Sequence, residues 1–222
     1  FIPGLKMLED IIKVPVLGVL PYTRLNIDDE DGHLDQRFAR RYSDGEFDID
    51  IAVVRLPHIS NYTDFTPLEH IPGVAVRYVD SPEQFSKPDI IILPGTKNTI
   101  GDLFAIRNSG IEQRIRKLNS EGIPVFGIGE GYQMLAREIE DPEGIESLEP
   151  VVKGMDLLDI KIIYRKEKIA TQVQAAVRDG SGLFEGLEGM TLDGYETHID
   201  VDEFIGNCVS FLSINGVSGE SF

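Results

Sequence analysis

From residue 47 onwards, short apolar runs alternate with segments whose apolar positions recur at helical spacing. Ile49-Asp-Ile-Ala-Val-Val54, Val74-Ala-Val-Arg-Tyr-Val79, Asp89-Ile-Ile-Ile-Leu93 and Pro124-Val-Phe-Gly-Ile128 each read as a strand. They are short, rich in β-branched residues and bounded by proline, glycine or polar residues. Between them, Ile100 to Phe104 and Ile111 to Leu118 read as helices, and a short segment lies around Phe65 to Glu69. Ser81-Pro-Glu-Gln-Phe85 reads as a short helix with a capping serine and a proline at its first position. Strands alternating with helices predict an α/β fold, a parallel sheet covered on both faces. Past Gly154 the period changes. Ile160–Tyr164, Thr171–Val177, Asp193–Ile199 and Cys208–Ile214 read as strands of an antiparallel meander.

Upstream, Leu5 to Ile12 has helical spacing, and Val14-Pro-Val-Leu-Gly-Val-Leu20 reads as a buried strand stopped by Pro21. The acidic run Asn26-Ile-Asp-Asp-Glu-Asp-Gly32 lacks the alternating ligand spacing of a calcium loop and reads as a solvated linker. The pattern therefore divides into a tail at 1–25, a linker at 26–46 and a domain from 47 to 222. The chain opens at Phe1 inside a helical pattern, which predicts a piece of a longer polypeptide.

Charge and composition then narrow the partners. A net charge of −17 argues against nucleic-acid backbones and anionic membranes. No apolar run approaches the roughly 20 residues of a membrane span, and Cys208 is the single cysteine, which fits a reducing cytoplasm.

The chemistry concentrates in Ile123-Pro-Val-Phe-Gly-Ile-Gly-Glu-Gly-Tyr-Gln-Met-Leu135. A strand enters a glycine turn, and Tyr132, Gln133, Met134, Leu135 and Ala136 read as the first turns of a helix. This is the layout of a nucleophile elbow, in which the central residue is pushed out above the sheet. Here that residue is Gly129, so the frame is present without a nucleophile. A dinucleotide loop is disfavoured, because Tyr132 stands where its third glycine belongs and Glu130 places a negative charge on the phosphate position. Glu130 equally reads as a carboxylate complementing a helix N-terminus. His198 has Glu196 two positions before it on the same strand face. Such a pair can orient a general base or can be a hydrogen-bonded structural pair, and the residues leave both open. His33, His58 and His70 lack zinc-ligand spacing, so no metal site is expected.

Leu93-Pro-Gly-Thr-Lys-Asn-Thr99, Gly127-Ile-x-x-Gly-Tyr-Gln-Met-Leu135, Asp141-Pro-Glu-Gly144 and Gly194-Tyr-Glu-Thr-His198 together resemble the class I glutamine amidotransferase half of cobyric acid synthases. Val14–Tyr22 and Arg55–Phe65 resemble the same family, and the likeness spans nearly the whole chain. It implies a flavodoxin-like sheet with added antiparallel strands, in which the Gly95 and Gly129 loops meet. It also implies glutamine and a corrin as substrates, and an upstream ATP-binding domain to which ATP and magnesium would belong. No Walker-type loop is present, so no cofactor is expected on this chain.

In the family pattern G-I-C-G-G-Y-Q-M-L, Gly129 stands in place of the nucleophilic cysteine and Glu130 in place of a glycine. By the same resemblance, the amides near Gly95 and of Glu130 match the oxyanion donors. Gly95, Thr96, Tyr132 and Gln133 match the substrate pocket. The family's base histidine falls in a later Tyr-Leu-His-Gly stretch that Phe222 precedes, so the domain reads as C-terminally incomplete and His198 matches a different position. Cys208 is expected far from the elbow. The resemblance implies an amidotransferase domain without glutaminase chemistry, or a non-catalytic binding module on the same fold. A related corrin-precursor or cell-wall amidotransferase is a further alternative.

Overall fold

In the computed structural model, which describes residues 2–19, 47–178 and 182–214, the apolar runs after residue 47 build a parallel sheet. Its strands are β1 (Ile49–Val54), β2 (Val74–Val79), β3 (Ile90–Leu93) and β4 (Val125–Gly127), in spatial order β2-β1-β3-β4. All three pairings are parallel, and Leu93 lies opposite Gly127. This is the flavodoxin-like order. It reverses direction between β1 and β3, and that is the switch point where loops diverge and leave a crevice.

The pleat sorts β1 into two cores. Ala52 and Val54 pack on one face with Ile91 and Leu93, under α3 (Thr99–Asn108), α4 (Ile111–Ser120) and Met134 of α5 (Glu130–Leu135). Ile51 and Val53 pack on the other with Val76 and Ile92, beneath Phe65 of the 3-10 turn Tyr62–Phe65 that leads into α2 (Thr66–Glu69). A strand covered on both faces needs apolar residues at consecutive positions, which explains the unbroken Ile-Ala-Val-Val run.

The second half forms a mixed sheet, β6 (Val151–Lys153), β5 (Ala136–Glu140), β7 (Leu158–Val177) and β8 (Thr191–Phe204), with β9 (Leu212–Ile214) on β7. β5 and β7 are parallel and the other pairs antiparallel.

Several expectations need correcting. Ile160–Tyr164 and Thr171–Val177 belong to one strand, β7, interrupted where the register jumps between Tyr164 and Ile169. Cys208–Ile214 gives a strand only over Leu212–Ile214. Ser81 makes no side-chain cap to the 3-10 turn Pro82–Phe85. The elbow helix ends at Leu135, and Ala136 already begins β5. Its continuation Ala-Arg-Glu-Ile-Glu favours helix locally. However, the carbonyls of Met134, Leu135, Ala136 and Arg137 are taken by the N–H groups of Met155, Leu157, Asp156 and Gly154. Tertiary pairing thus overrides propensity.

The chain divides into two units, Phe1–His33 and Leu34–Phe222. In the first, helix α1 (Ile2–Ile12) ends at Lys13 with φ 58. The expected strand at Val14–Leu20 is not formed over the described residues 14–19, and Leu17 is 98% exposed. An apolar run becomes a strand only against a partner, and none pairs with it among the described residues. The acidic run, the linker 26–46 and residues 215–222 lie outside the described residues. No described helix is long and apolar enough to cross a membrane.

After β5, the buried Asp141 closes the turn that the Asp-Pro-Glu-Gly motif announces. Burial alone would raise its carboxyl, but the N–H groups of Ile145, Glu146 and Ser147 donate to it at 2.8, 2.7 and 2.9 Å and hold it below the usual range. A depressed carboxyl contributes stability that is present above the unfolded value of about 3.9 and lost as pH falls through the folded value. Asp141→Asn should therefore cost about 1–3 kcal/mol at neutral pH and flatten the acid limb of stability. Urea midpoints from about pH 5 to about pH 2 measure both effects.

Candidate active site

Two loops meet beside the switch point, at the carboxyl ends of β3 and β4. After β3, Pro94-Gly95-Thr96 is pinned to the β1 loop: Ser60 N–H donates to the Gly95 carbonyl at 2.9 Å and Lys97 N–H to the His58 carbonyl at 3.0 Å. Behind it lies Asp102, wholly buried on α3. Its carboxylate accepts from Thr96 Oγ1 at 2.5 Å, His58 N–H at 3.0 Å and His58 Nδ1 at 2.7 Å. Burying a carboxyl is costly unless its oxygens are hydrogen-bonded, and these three contacts engage both of them. His58 is thus a structural partner of the loop.

After β4 comes the elbow. Ile128 N–H donates to the Leu93 carbonyl at 3.0 Å, which places the Gly129 turn beside the Gly95 turn as expected. Gly129 has φ 54 and ψ −121, a conformation that strains any residue with a Cβ. The three elbow glycines differ in what requires them. A Cβ on Gly131 would overlap the Leu93 carbonyl oxygen, and one on Gly127 would lie 2.5 Å from Tyr132 Cα. A Cβ on Gly129 would meet nothing within 4 Å. The outer two glycines are forced by backbone packing, whereas the central one faces open space where a nucleophile's side chain would stand.

Glu130 turns back across the gap, and its Oε2 accepts from Thr96 N–H at 3.1 Å. The Thr96 amide thus carries the chain's own carboxylate. Gln133 is buried and acts as a tie: its Oε1 accepts from Tyr164 Oη of β7 at 2.8 Å and lies 3.5 Å from Thr99 Oγ1. Glu146, aimed by the Asp141 turn, accepts from Thr99 Oγ1 at 3.2 Å and Ile100 N–H at 3.4 Å.

In front lies a cavity of about 860 Å³, lined by Gly129, Glu130, Tyr132 and Gln133 from the elbow and by Glu196, His198, Asp200 and Asp202 from one face of β8. No cysteine or serine is among the described residues lining it. The cavity is acidic, with Lys168 as its one lysine. Burial raises the carboxyls of Glu146 and Asp200 above their usual range, and the Glu130 charge adds to the first. Asp202 is pushed up to about 6, by burial first and then by Asp200, against a 3.0 Å hydrogen bond from Tyr132 Oη. Burial, then Asp202, raises the Tyr132 phenol.

The Glu196–His198 pair read from the strand is formed, with Nε2 2.7 Å from Glu196 Oε1. Nδ1 lies 2.7 Å from the Asp200 carbonyl oxygen, which can only accept. Nδ1 therefore donates, and Nε2 is taken up by Glu196. Burial opposes the charged ring, but Glu196 and the Asp200 carbonyl outweigh it and raise the His198 pKa. With one ring nitrogen bonded to a backbone carbonyl and the other to Glu196, the arrangement favours the structural role.

Sequence reasoning missed Asp200 and Asp202. Period-2 spacing from Glu196 through His198 would have found them, since all four share a face of β8. The distance assigned to Cys208 also needs correcting. It packs against the main core and acts electrostatically on the Tyr132 phenol, so it lies near the elbow helix, though outside the cavity lining.

Two measurements follow. Gly131→Ala should lower the urea midpoint far more than Gly129→Ala. The first forces two backbones apart, while the second adds only backbone strain of about 1–3 kcal/mol. Glu196→Gln should lower the His198 pKa in an imidazole NMR titration. Because the folded pKa is raised, the pair stabilises the fold below the unfolded value of about 6.5 and loses that contribution as pH rises through the folded one. An unchanged titration would remove the ion pair from the account.

Comparison with known proteins agrees with this geometry. A cobyric acid synthase of Thermoanaerobacter sp. (strain X514) is 43% identical over 98% of this chain and 43% of its own length. One from Ruminiclostridium cellulolyticum is 48% identical over 89% of this chain and 38% of its own length. The chain thus spans about two fifths of the curated relatives it matches. Among solved structures, PurLQS from Thermotoga maritima has the same fold at 22% identity, with a TM-score of 0.58 over 75% of this chain and 74% of that one. Residues 50–219 match the CobB/CobQ-like glutamine amidotransferase domain, and the chain belongs to that family.

Proposed function

We propose that the chain serves corrin amidation in cobalamin biosynthesis as the amidotransferase-like domain of a cobyric acid synthase, and that it does not itself hydrolyse glutamine. ATP and magnesium would belong to an upstream domain that activates corrin carboxylates, in the cytoplasm. The observation that carries the second statement is the elbow itself: Gly129 keeps the elbow turn with no side chain on it. Acyl transfer from an unactivated amide needs a thiolate, a base and free oxyanion donors. Here the elbow carries no thiol, the histidine lining the cavity has both ring nitrogens engaged, and Glu130 covers the Thr96 amide. Those three features also favour the second reading, a non-catalytic module retaining the fold, with ammonia reaching any partner domain from solution.

Losing the nucleophile of such a site costs about a million-fold in kcat, so ammonia release from glutamine should stay at the uncatalysed blank. Gly129→Cys alone should remain inactive. Its thiol would stay near or above about 8.5, with the Glu130 carboxylate disfavouring the thiolate. Gly129→Cys with Glu130→Gly removes that charge and frees the Thr96 amide, so it should release ammonia faster than Gly129→Cys alone. Steady-state ammonia release from the two variants tests this. Ready turnover by Gly129→Cys alone would overturn the argument from Glu130 and His198.

A further inference from the structure

The cavity in front of the elbow is lined by two unlike sets of side chains. One is aromatic. Phe126 of β4, Phe184 of the 3-10 turn Gly182–Phe184 and Phe211 follow one another with centroids 5.9 and 4.1 Å apart, and all three face the cavity. The other is acidic: Glu196, Asp200 and Asp202 of β8 join Glu130 and Glu146, against Lys168 and His198 as the basic side chains of the lining.

Within the acidic set, Asp200 is the member left incomplete. Asp202 accepts from Tyr132 Oη at 3.0 Å, and Glu196 is paired with His198 Nε2 at 2.7 Å. The Asp200 side chain is only 8% exposed, yet its Oδ1 has no hydrogen-bond partner. His198 Nδ1 lies 3.7 Å from that oxygen, beyond hydrogen-bond range, because its hydrogen goes to the Asp200 carbonyl at 2.7 Å. A buried carboxylate oxygen without a donor is costly, and it calls for a donor that the chain itself does not bring.

The surroundings define that donor. Carboxyls outnumber the basic side chains of the lining, so the cavity favours a cation. Among the described residues no three His, Cys, Asp or Glu side chains converge as a metal-binding set, so a bare metal ion lacks its ligands. The volume of about 860 Å³ far exceeds a lone ammonium ion, and the aromatic side chains suit an apolar body. A free amino acid is disfavoured, since its own carboxylate would face the acidic strand.

We infer that this cavity binds an organic ammonium, a primary amine on an apolar body, whose N–H groups donate to Asp200 beside Asp202 and whose body faces Phe126, Phe184 and Phe211. The inference goes beyond the proposed function and rests neither on the corrin reaction nor on glutamine hydrolysis. Burial comes first in raising the Asp200 carboxyl and in pushing Asp202 up to about 6, and a bound cation would favour the charged form of both. The simpler account, in which the Asp200 oxygen is a tolerated defect beside His198, predicts no saturable binding.

Amide NMR of the full chain at about pH 8, with n-hexylammonium chloride as the probe, separates the two. Saturable shifts are expected at Asp200, Asp202 and Phe184. The neutral counterpart n-hexanol, potassium chloride and L-glutamine should each need about tenfold or more higher concentration for the same shifts. Asp200→Asn keeps the side-chain shape without the charge and should raise the half-saturation by about tenfold or more. Should that variant not fold, the four probes on the unmodified chain decide. Absence of saturation with n-hexylammonium, a response to any of the other three at equal concentration, or undiminished binding by folded Asp200→Asn would overturn the inference. None of these readouts involves ammonia release, so the inference and the proposed function can fail separately.

Discussion

The close approach of the two backbones that leave β3 and β4 governs the rest of the site. The Leu93 carbonyl accepts from Ile128 N–H, and Gly131 lies against the carbonyls of Leu93 and Pro94 with no room for a Cβ. That contact sets the distance between the Gly95 and Gly129 turns, aims α5 into the main core through Met134 and Leu135, and lets Gln133 reach Tyr164 on β7. Widening it by one methyl would move all three together. Backbone carbonyls are stiff and cannot rotate away as the tip of a side chain can.

The same constraint explains which parts of the fold were legible in the sequence. The parallel sheet could be read because its strands are covered on both faces and therefore run apolar without interruption. The elbow could be read because close backbone approach admits only glycine at Gly127 and Gly131. The end of α5 could not. Ala136-Arg-Glu-Ile-Glu140 has helical propensity, and what converts it to β5 is a set of carbonyls captured by residues 154–157, fourteen or more positions downstream. The long β7 was hidden for a related reason: its exposed middle, Arg165 to Gln172, carries no burial signal to join the two apolar ends.

The site was legible unevenly. Gly129, Glu130 and the Gly95–Thr96 turn stood out because each departs from or matches a recognisable motif, and the Glu196–His198 pair followed from alternation. Its chemical state did not. Nothing in the sequence shows that the Asp200 carbonyl folds back onto Nδ1, yet that single acceptor engages the ring nitrogen that Glu196 leaves. Asp102 and His58 were missed because they sit on separate segments, and only the fold brings them together behind Thr96.

The persistence of the frame without its nucleophile has a physical basis. An elbow that carries a cysteine forces a residue with a Cβ into a strained conformation, and the surrounding packing must hold it there. With Gly129 the same φ and ψ cost little, since glycine reaches positive φ freely. The packing that enforces the turn does not involve position 129: it comes from Gly127, Gly131 and the Leu93 carbonyl. Replacement at the centre therefore removes strain and leaves the enforcing contacts intact. Glu130 supplies an acceptor for the Thr96 donor, so that amide is not left unpaired. The geometry of the elbow belongs to the two outer glycines and the chemistry to the two inner positions. The second can change completely while the first stays as it is.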